Sequence, residues 1–190
     1  MGSPHLTLAS ASPRRRELLG RLGLTPDAVS PADIDETPLP GELPRAYALR
    51  MGREKALAVD APGHVLAGDT VVAVGRRILP KTETEAEARV CLALMSGRRH
   101  QVLSSVVLRG PDGGLRTRLS ETVVHFKRLS HEEIAAYLAS DEWRGKAGGY
   151  AIQGAAEGLI EWIRGSHSGV MGLPLYETRL LLKAAGFSIG

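Results

Sequence analysis

Three consecutive arginines follow a serine-rich turn near the start of the chain, and this segment constrains the local fold more than any other feature. The apolar run at residues 6–9 predicts a strand. Ser12 is a suitable N-cap and Pro13 a suitable first helical residue, so we expect a helix from Pro13 to about Leu22. Residues 14–16 then place three cations at the positive end of the helix dipole, each unfavourable by roughly 0.3–1 kcal/mol. Helix N–H groups and guanidinium forks together predict a receptor for polyphosphate.

Helix and strand patterns alternate along the rest of the chain. This alternation, with one long hairpin around residues 111–114, predicts an α/β domain with a mixed sheet over residues 1–190. Helices are expected at residues 44–59, from a capping box at 82–85 to about 97, at 131–139 after a capping box that opens at 130, and at 174–185. Strands are expected at residues 64–74, 77–79, 101–108, 115–129 and 158–163, and loops at residues 145–154 and 165–172.

Composition excludes several classes of function. The formal net charge is only +3, the basic residues are scattered, and 4% of residues are aromatic, so we expect no nucleic-acid partner. The single cysteine, Cys91, cannot form an internal disulfide. No segment has the length of a signal peptide or a membrane span, which predicts a cytoplasmic protein with no membrane contact.

Two acidic positions are candidates for chemistry. Asp69 lies between the apolar runs at residues 64–68 and 71–74, where a buried carboxylate is costly unless it is paired, binds metal or faces a cleft. Asp69 is therefore a candidate metal ligand or general base, although a carboxylate that caps a loop is the alternative interpretation. Glu36 belongs to an acidic stretch that could be merely solvated, but a polyphosphate site requires a divalent cation, and carboxylate oxygens suit Mg²⁺.

Lysine is scarce, with five lysines against 19 arginines, which draws attention to Lys55 and Lys81. Each could act as a point charge on a phosphate, although an isolated lysine is more often solvated. Gln153, within the glycine-rich segment at 145–154, could read the edge of a base, or it could be a solvated side chain. The chain contains no P-loop, dinucleotide-binding or zinc-ligand pattern.

Taken together, these motifs resemble the Maf family of septum-formation-inhibitor-like nucleotide pyrophosphatases. The matching segments are LASASPRR at 8–15, DE at 35–36, REKA at 53–56, GDTVV at 68–72, Lys81, GYAIQG at 149–154 and VMGLPL at 170–175. The resemblance covers nearly the whole chain. It implies a two-lobed fold of the inosine-triphosphatase type, with an elongated mixed sheet and a central cleft. It also implies hydrolysis of a nucleoside triphosphate to the monophosphate and pyrophosphate, assisted by Mg²⁺ or Mn²⁺, and a homodimer.

The resemblance also implies roles for individual residues. Ser10, Arg14, Arg15, Lys55 and Lys81 match the residues that handle phosphate. Asp69 matches the proton acceptor and a metal contact, and Glu36 a second acidic metal ligand. The family usually has Lys-Pro where this chain has Lys81 followed by Thr82, so the proline that would stiffen this turn is missing.

Arg14, Thr70 and Gln153 match the positions that separate two branches of the family. Their combination is that of the branch acting on dTTP, UTP and related pyrimidine nucleotides. The other branch, which acts on 7-methyl-GTP, remains an alternative. A second alternative is a cell-division regulator that binds nucleotide or nucleic acid without catalysis.

Overall fold

A computed structural model gives the structure of the protein and describes residues 4–189. The helices are α1 (Pro13–Gly20), α2 (Pro44–Ala58), α3 (Glu85–Met95), α4 (His131–Leu138), α5 (His167–Met171) and α6 (Leu175–Ala184), with a 3₁₀ turn at Ala155–Leu159. The strands are β1 (Leu6–Leu8), β2 (Ala28–Val29), β3 (His64–Val74), β4 (Arg77–Leu79), β5 (Lys81–Thr82), β6 (Arg99–Arg109), β7 (Leu115–Phe126), β8 (Lys146–Ala147) and β9 (Ile160–Arg164). The predicted α/β fold with a mixed sheet flanked by helices is confirmed.

Seven strands form one sheet in the order β2-β1-β3-β6-β7-β9, and β4 also pairs with β3. β1 pairs in parallel with both β2 and β3, whereas the pairs from β3 to β9 are antiparallel. β5 and β8 form a separate two-stranded ribbon. The long hairpin of β6 and β7 was predicted from its turn signal, whereas the ribbon was not predicted.

The central strand β3 changes partner along one of its edges. β1 pairs with its first three residues, where Leu8 faces Leu66, and β4 pairs with its last three, where Leu79 faces Val72. β6 covers the other edge along nearly the whole strand. Between β1 and β4, within the described residues, the edge around Asp69 has no strand partner. The sheet therefore opens at the position where the sequence has a carboxylate between two apolar runs.

Strand alternation places neighbouring β3 residues on opposite faces of the sheet. Odd-numbered residues such as Val65 and Val71 pack with residues of α2, and Asp69 shares this face. Even-numbered residues such as Leu66 and Val72 belong to the main apolar core, and Thr70 shares that face. One short segment of strand thus supplies different polar groups to each side of the sheet.

Several predicted boundaries and caps were wrong. The first capping box is formed by Thr84 and Glu87, two residues later than predicted, because Thr82 is a buried strand residue. Ser12 occupies the N-cap position of α1, but its side chain makes no capping bond. The second box, Ser130 with Glu133, is confirmed.

Other differences are in the extent of elements. α1 ends at residue 20 and β7 at residue 126, both shorter than predicted, and β9 begins at residue 160. The expected loop at 165–172 contains the short helix α5. No helix within residues 4–189 is long and apolar enough to cross a bilayer.

Candidate active site

A cavity of about 450 Å³ lies at the opening in the sheet. All nine residues singled out from the sequence line this cavity: Ser10, Arg14, Arg15, Glu36, Lys55, Asp69, Thr70, Lys81 and Gln153. They come from the turn after β1, from α1, α2, β3 and β5, and from two further loops. Residues separated by more than 140 positions in the chain therefore meet around one volume.

On the α2 face of β3, two carboxylates share one ammonium group. Lys55 Nζ donates to Asp69 Oδ1 at 2.7 Å and lies 2.9 Å from Glu36 Oε1. Lys55 and Asp69 are only 6% and 4% exposed. A buried charge of either sign is costly alone, so each group makes the burial of the other possible.

Lys81 adds a fourth charge to this group. Its Nζ lies 2.5 Å from Glu36 Oε2, which gives an alternating chain from Asp69 through Lys55 and Glu36 to Lys81. We call these four residues the acid–amine cluster. Burial alone would raise the pKa of Glu36, but the hydrogen bonds from Lys55 and Lys81 outweigh burial and hold that pKa below its ordinary value. Glu36 is therefore ionised at neutral pH.

Close packing of α2 against the sheet positions the acid–amine cluster. A Cβ added to Gly52 of α2 would lie 2.4 Å from Ser105 Oγ of β6, so only glycine permits this approach. The same Ser105 hydroxyl accepts the backbone N–H of Asp69 at 3.2 Å. The loop that carries Glu36 is attached to α2, because the Tyr47 hydroxyl donates to the Glu36 carbonyl at 2.6 Å.

The opposite wall of the cavity is formed by the start of α1. Arg15 Nε donates to the Gly172 carbonyl at 2.8 Å, and Arg14 Nε donates to the Met171 carbonyl at 3.4 Å. Arg15 Nη1 also donates to Ser10 Oγ at 3.1 Å. We call Arg14 and Arg15 the guanidinium wall. These bonds orient both side chains but use only part of the five N–H donors of each guanidinium group.

No carboxylate within residues 4–189 forms an ion pair with either arginine of the guanidinium wall. Burial lowers the pKa of Arg14. Burial also lowers the pKa of Arg15; the charges of Asp69 and Glu36 oppose this effect, and the charge of Arg14 adds to it. Arginine nevertheless stays protonated in proteins, so the wall holds uncompensated positive charge facing a cavity. Such a surface favours anions.

Ser10 and Thr70 complete the polar lining near Arg15. Ser10 Oγ accepts from the Ser12 N–H at 3.2 Å as well as from Arg15, so its own hydroxyl proton remains available to an acceptor in the cavity. Thr70 Oγ1 lies 3.1 Å from the Ser104 hydroxyl, which donates to the Gly169 carbonyl at 2.6 Å. These bonds connect β3 to α5.

Arg16, the third arginine of the segment, is exposed and lies outside the cavity lining. The prediction of an anion receptor therefore rests on two arginines rather than three. Gln153, in the loop that follows β8, lines the cavity and is exposed there. The turn after Lys81 is fixed without a proline, because the buried Thr82 hydroxyl donates to the Trp143 carbonyl at 2.9 Å.

Sequence reasoning missed two basic residues of the cavity, Arg144 and Lys146. Lys146 was available to the same argument from lysine scarcity that selected Lys55 and Lys81. The β5–β8 ribbon brings it to the site by pairing Thr82 with Lys146. A pairing of two-residue strands over 64 positions leaves no periodic signal in the sequence.

The oxygen donors of the cavity are compatible with a divalent metal ion whose coordination shell is completed by the substrate. No three or more His, Cys, Asp or Glu side chains in the described part of the chain form a group that could enclose a metal. Asp69 and Glu36 converge on one point, that of the Lys55 ammonium. Mg²⁺ in nucleotide sites is typically held by one or two carboxylates together with phosphate oxygens and water. The two carboxylates fit that role.

The chain is similar to known proteins over nearly its whole length. A family model described as "Maf-like protein" matches residues 5–185. A dTTP/UTP pyrophosphatase of Novosphingobium aromaticivorans is 64% identical over 190 residues, covering 98% of this chain and 94% of that protein. A dTTP/UTP pyrophosphatase of Caulobacter vibrioides is 61% identical over 187 residues, covering 97% of each.

A similar solved structure is that of a nucleoside-triphosphatase/dITP/XTP pyrophosphatase from Mycobacterium abscessus. It is 18% identical to this chain, covers 95% of each chain and has a TM-score of 0.46. A Ham1 protein from Coxiella burnetii has a TM-score of 0.47 at 17% identity, covering 95% of this chain and 97% of that one. A likeness at this level does not by itself identify an activity.

Proposed function

The chain belongs to the Maf family, and on that basis we propose that it hydrolyses dTTP and UTP to the monophosphate and pyrophosphate. It is a nucleoside triphosphate pyrophosphatase. One observation within the molecule carries the proposal: two guanidinium groups without an ion-pair partner in residues 4–189 line the same cavity as two carboxylates, of which that of Asp69 is buried. The first arrangement suits a triphosphate, and the second suits activation of water.

The reaction determines what each side of the cavity must do. The oxygen of a water molecule bonds to the α-phosphorus, the bond from that phosphorus to the oxygen bridging the α- and β-phosphates breaks, and pyrophosphate leaves. Negative charge grows on the leaving group as the bond breaks. Donors already oriented toward that charge stabilise the transition state, and water exclusion strengthens the effect. Arg15 and Ser10 are suited to this task, because the protein fixes their positions before substrate arrives.

Asp69 is the group we assign to the proton lost by the attacking water. Its carboxylate is buried and accepts a hydrogen bond from Lys55, and its backbone N–H donates to the Ser105 hydroxyl. The alternative role, as a ligand that holds the metal ion, uses the same oxygen atoms and remains open. A bound Mg²⁺ or Mn²⁺ would lower the pKa of a coordinated water and neutralise charge on the phosphates. Lys55 and Lys81 are assigned to neutralising charge next to the phosphates.

The proposal also covers the cellular location, the cofactor and the oligomeric state of the protein. We assign the protein to the cytoplasm, where nucleoside triphosphates are made and used, with a divalent metal as cofactor. We also propose a homodimer, as the family resemblance implies. Light scattering at micromolar concentration should then give twice the chain mass of 20.3 kDa, and the monomer mass would refute the dimer.

The decisive experiment is a substrate panel with product analysis. Purified protein with Mg²⁺ is incubated with dTTP, UTP, CTP, GTP and 7-methyl-GTP, and products are separated by ion-exchange chromatography. We expect dTMP or UMP and pyrophosphate in equal amounts. Release of inorganic phosphate and a nucleoside diphosphate would place the attack at the γ-phosphorus and overturn the proposed reaction. Preferred turnover of 7-methyl-GTP would overturn the proposed substrate.

A further inference from the structure

Lys55 lies at the point on which both carboxylates of the acid–amine cluster converge. Its Nζ is 2.7 Å from Asp69 Oδ1 and 2.9 Å from Glu36 Oε1. The other oxygen of Glu36 is paired with Lys81. An ammonium group and a hard divalent cation both prefer carboxylate oxygens as partners. The protein therefore fills a potential metal position with a cation of its own.

The ammonium group of Lys55 and a metal ion cannot both lie between these two carboxylates. Mg²⁺ holds its oxygen ligands at about 2.0–2.1 Å, which leaves no room for an ammonium group between the same oxygens. Lys55 and Asp69 are also nearly closed to water, so two cations at this point would repel each other strongly. Joint binding of a metal ion by Asp69 and Glu36 thus requires the Lys55 ammonium to leave.

Release of the Lys55 ammonium is costly unless it finds another anion. The residue is only 6% exposed, and α2, which carries it, packs closely against the sheet at Gly52. A buried ammonium that has lost its carboxylates keeps its charge without a partner. No carboxylate within residues 4–189 other than Asp69 and Glu36 forms an ion pair with Lys55. The phosphates of a bound substrate are the remaining anions that can serve.

We propose that Lys55 keeps the divalent metal out of the free protein and exchanges its two carboxylates for phosphate oxygens when metal and polyphosphate bind together. This inference rests on the proposed function and adds how the charges of the site are paired in each state. In the free protein the ammonium group balances Asp69 and Glu36. In the complex the metal balances them, and the ammonium group balances phosphate. Every buried charge keeps a partner of opposite sign in both states.

The test measures the binding of Mn²⁺ alone, without nucleotide, to the parent protein and to Lys55→Met. Methionine keeps much of the length of the side chain and removes the charge. Electron paramagnetic resonance of hydrated Mn²⁺ measures the free ion directly. We expect Lys55→Met to bind Mn²⁺ roughly 10- to 100-fold more tightly than the parent, because the competing ammonium is gone. Equal or weaker binding would mean that a metal ion uses oxygens that Lys55 leaves free, and would overturn the inference.

Lys81→Met is the matched variant, because it removes the same charge from the same cluster. Lys81 is paired with Glu36, and its side chain is half exposed, so we expect a gain in Mn²⁺ affinity of less than about 10-fold. Lys183→Met, on the exposed face of α6, controls for net charge and should leave Mn²⁺ binding unchanged. Equal gains in Lys55→Met and Lys81→Met would show that total charge, and not the place of Lys55, excludes the metal, and would also overturn the inference.

A measurement on the parent protein covers the case in which Lys55→Met does not fold. Among the five lysines, all within residues 4–189, Lys55 alone is buried, so its ammonium protons should exchange most slowly with water. We expect its signal in a ¹H–¹⁵N spectrum to keep its position with Mg²⁺ alone or tripolyphosphate alone, and to move when both are present. An unchanged signal with both, or the full change with either alone, would overturn the inference.

Neither measurement requires nucleotide hydrolysis, which separates this inference from the proposed function. Mn²⁺ binding that is the same in the parent and in Lys55→Met would refute the role of Lys55 even if the parent hydrolyses dTTP as proposed. Conversely, tighter Mn²⁺ binding by Lys55→Met would support that role even if the parent cleaved no triphosphate, and the absence of cleavage would then refute the proposed reaction alone.

Discussion

The acid–amine cluster and the guanidinium wall face the same cavity but balance their charges in different ways. The cluster contains two carboxylates and two ammonium groups, and each charge lies against one of opposite sign. In the guanidinium wall, Arg14 and Arg15 donate hydrogen bonds to backbone carbonyls, and neither forms an ion pair with a carboxylate of residues 4–189. One side is neutral before substrate arrives, whereas the other carries two unbalanced positive charges.

This difference separates binding from chemistry. Opposite charges attract more strongly in a partly desolvated cavity than in water, so a triphosphate gains most from the side that has no partner of its own. A cluster of balanced charges contributes less to attraction, but its carboxylates are held in place by the two ammonium groups. Changes to the guanidinium wall should therefore weaken triphosphate binding as well as turnover, whereas changes to the carboxylates of the cluster should slow turnover with little loss of binding.

The largest effect is expected for Asp69→Asn, which removes a carboxylate from the cluster and keeps its shape. The amide oxygen can still accept a hydrogen bond from Lys55, so the fold should persist. Loss of a proton acceptor or metal ligand should lower kcat for dTTP by about 10²- to 10⁴-fold. The inhibition constant of tripolyphosphate should hardly change. The exposed Asp60→Asn serves as the control, and normal turnover by Asp69→Asn would remove Asp69 from the chemistry.

The second effect tests the guanidinium wall with neighbouring arginines. Arg15→Met removes the fork that holds the Gly172 carbonyl and faces the cavity, and we expect tripolyphosphate to bind about 10- to 100-fold more weakly. Arg16→Met removes an exposed charge one residue away and should leave affinity nearly unchanged. Equal losses in the two variants would mean that total charge, and not the orientation of Arg15, governs binding.

Seven of the nine cavity residues could be chosen from the sequence because each carries a local signal, whereas Ser10 and Thr70 were chosen only through the family resemblance. Arg14 and Arg15 follow a recognisable helix start, and Asp69 interrupts an apolar strand. That Asp69 and Thr70 lie on opposite faces of the sheet also follows from strand alternation, which is a local property. Chemistry that is concentrated at the ends and interruptions of regular elements can therefore be recognised without a structure.

Features that depend on distant pairing were not predicted. Lys146 enters the cavity only because β8 pairs with β5, and neither strand is long enough to show a pattern. The same pairing explains the misplaced capping box. Thr82 and Thr84 both precede acidic residues at suitable spacing, and the burial of Thr82 beneath Trp143 decides in favour of Thr84. In both cases the deciding contact lies about 60 residues away.

The third prediction concerns the packing that supports the acid–amine cluster. Gly52→Ala would place a Cβ 2.4 Å from the Ser105 hydroxyl, which accepts the Asp69 N–H. Overpacking should cost about 1–3 kcal/mol, which exceeds the gain of up to about 1 kcal/mol from replacing a helical glycine. We expect lower stability in urea and a reduced kcat. Gly20→Ala, which meets no neighbouring atom, is the control and should be neutral or slightly stabilising.

The smallest effect concerns the support of Tyr150, a residue that lines the cavity. His100 is buried, and its Nε2 lies 2.8 Å from the Tyr150 hydroxyl. Burial, with a smaller contribution from His125, lowers the pKa of His100 to about 4, against about 6.5 in an unfolded chain. The unfolded chain therefore takes up a proton that the folded protein refuses, and stability falls as pH decreases from 6.5 toward 4.

At pH 5.5 this linkage should reduce the free energy of unfolding by about 1 kcal/mol relative to pH 7.5. Urea unfolding at the two pH values measures this change in the free energy of unfolding. His100→Gln should reduce the difference between the two pH values even if it lowers stability at both. His64, whose pKa is also lowered by burial, contributes in the same direction and remains in the variant. Glu36 has a lowered pKa and stays ionised over this range, so its charge does not contribute to this pH dependence. If His100→Gln kept the full pH dependence, the sensitivity would have to lie elsewhere.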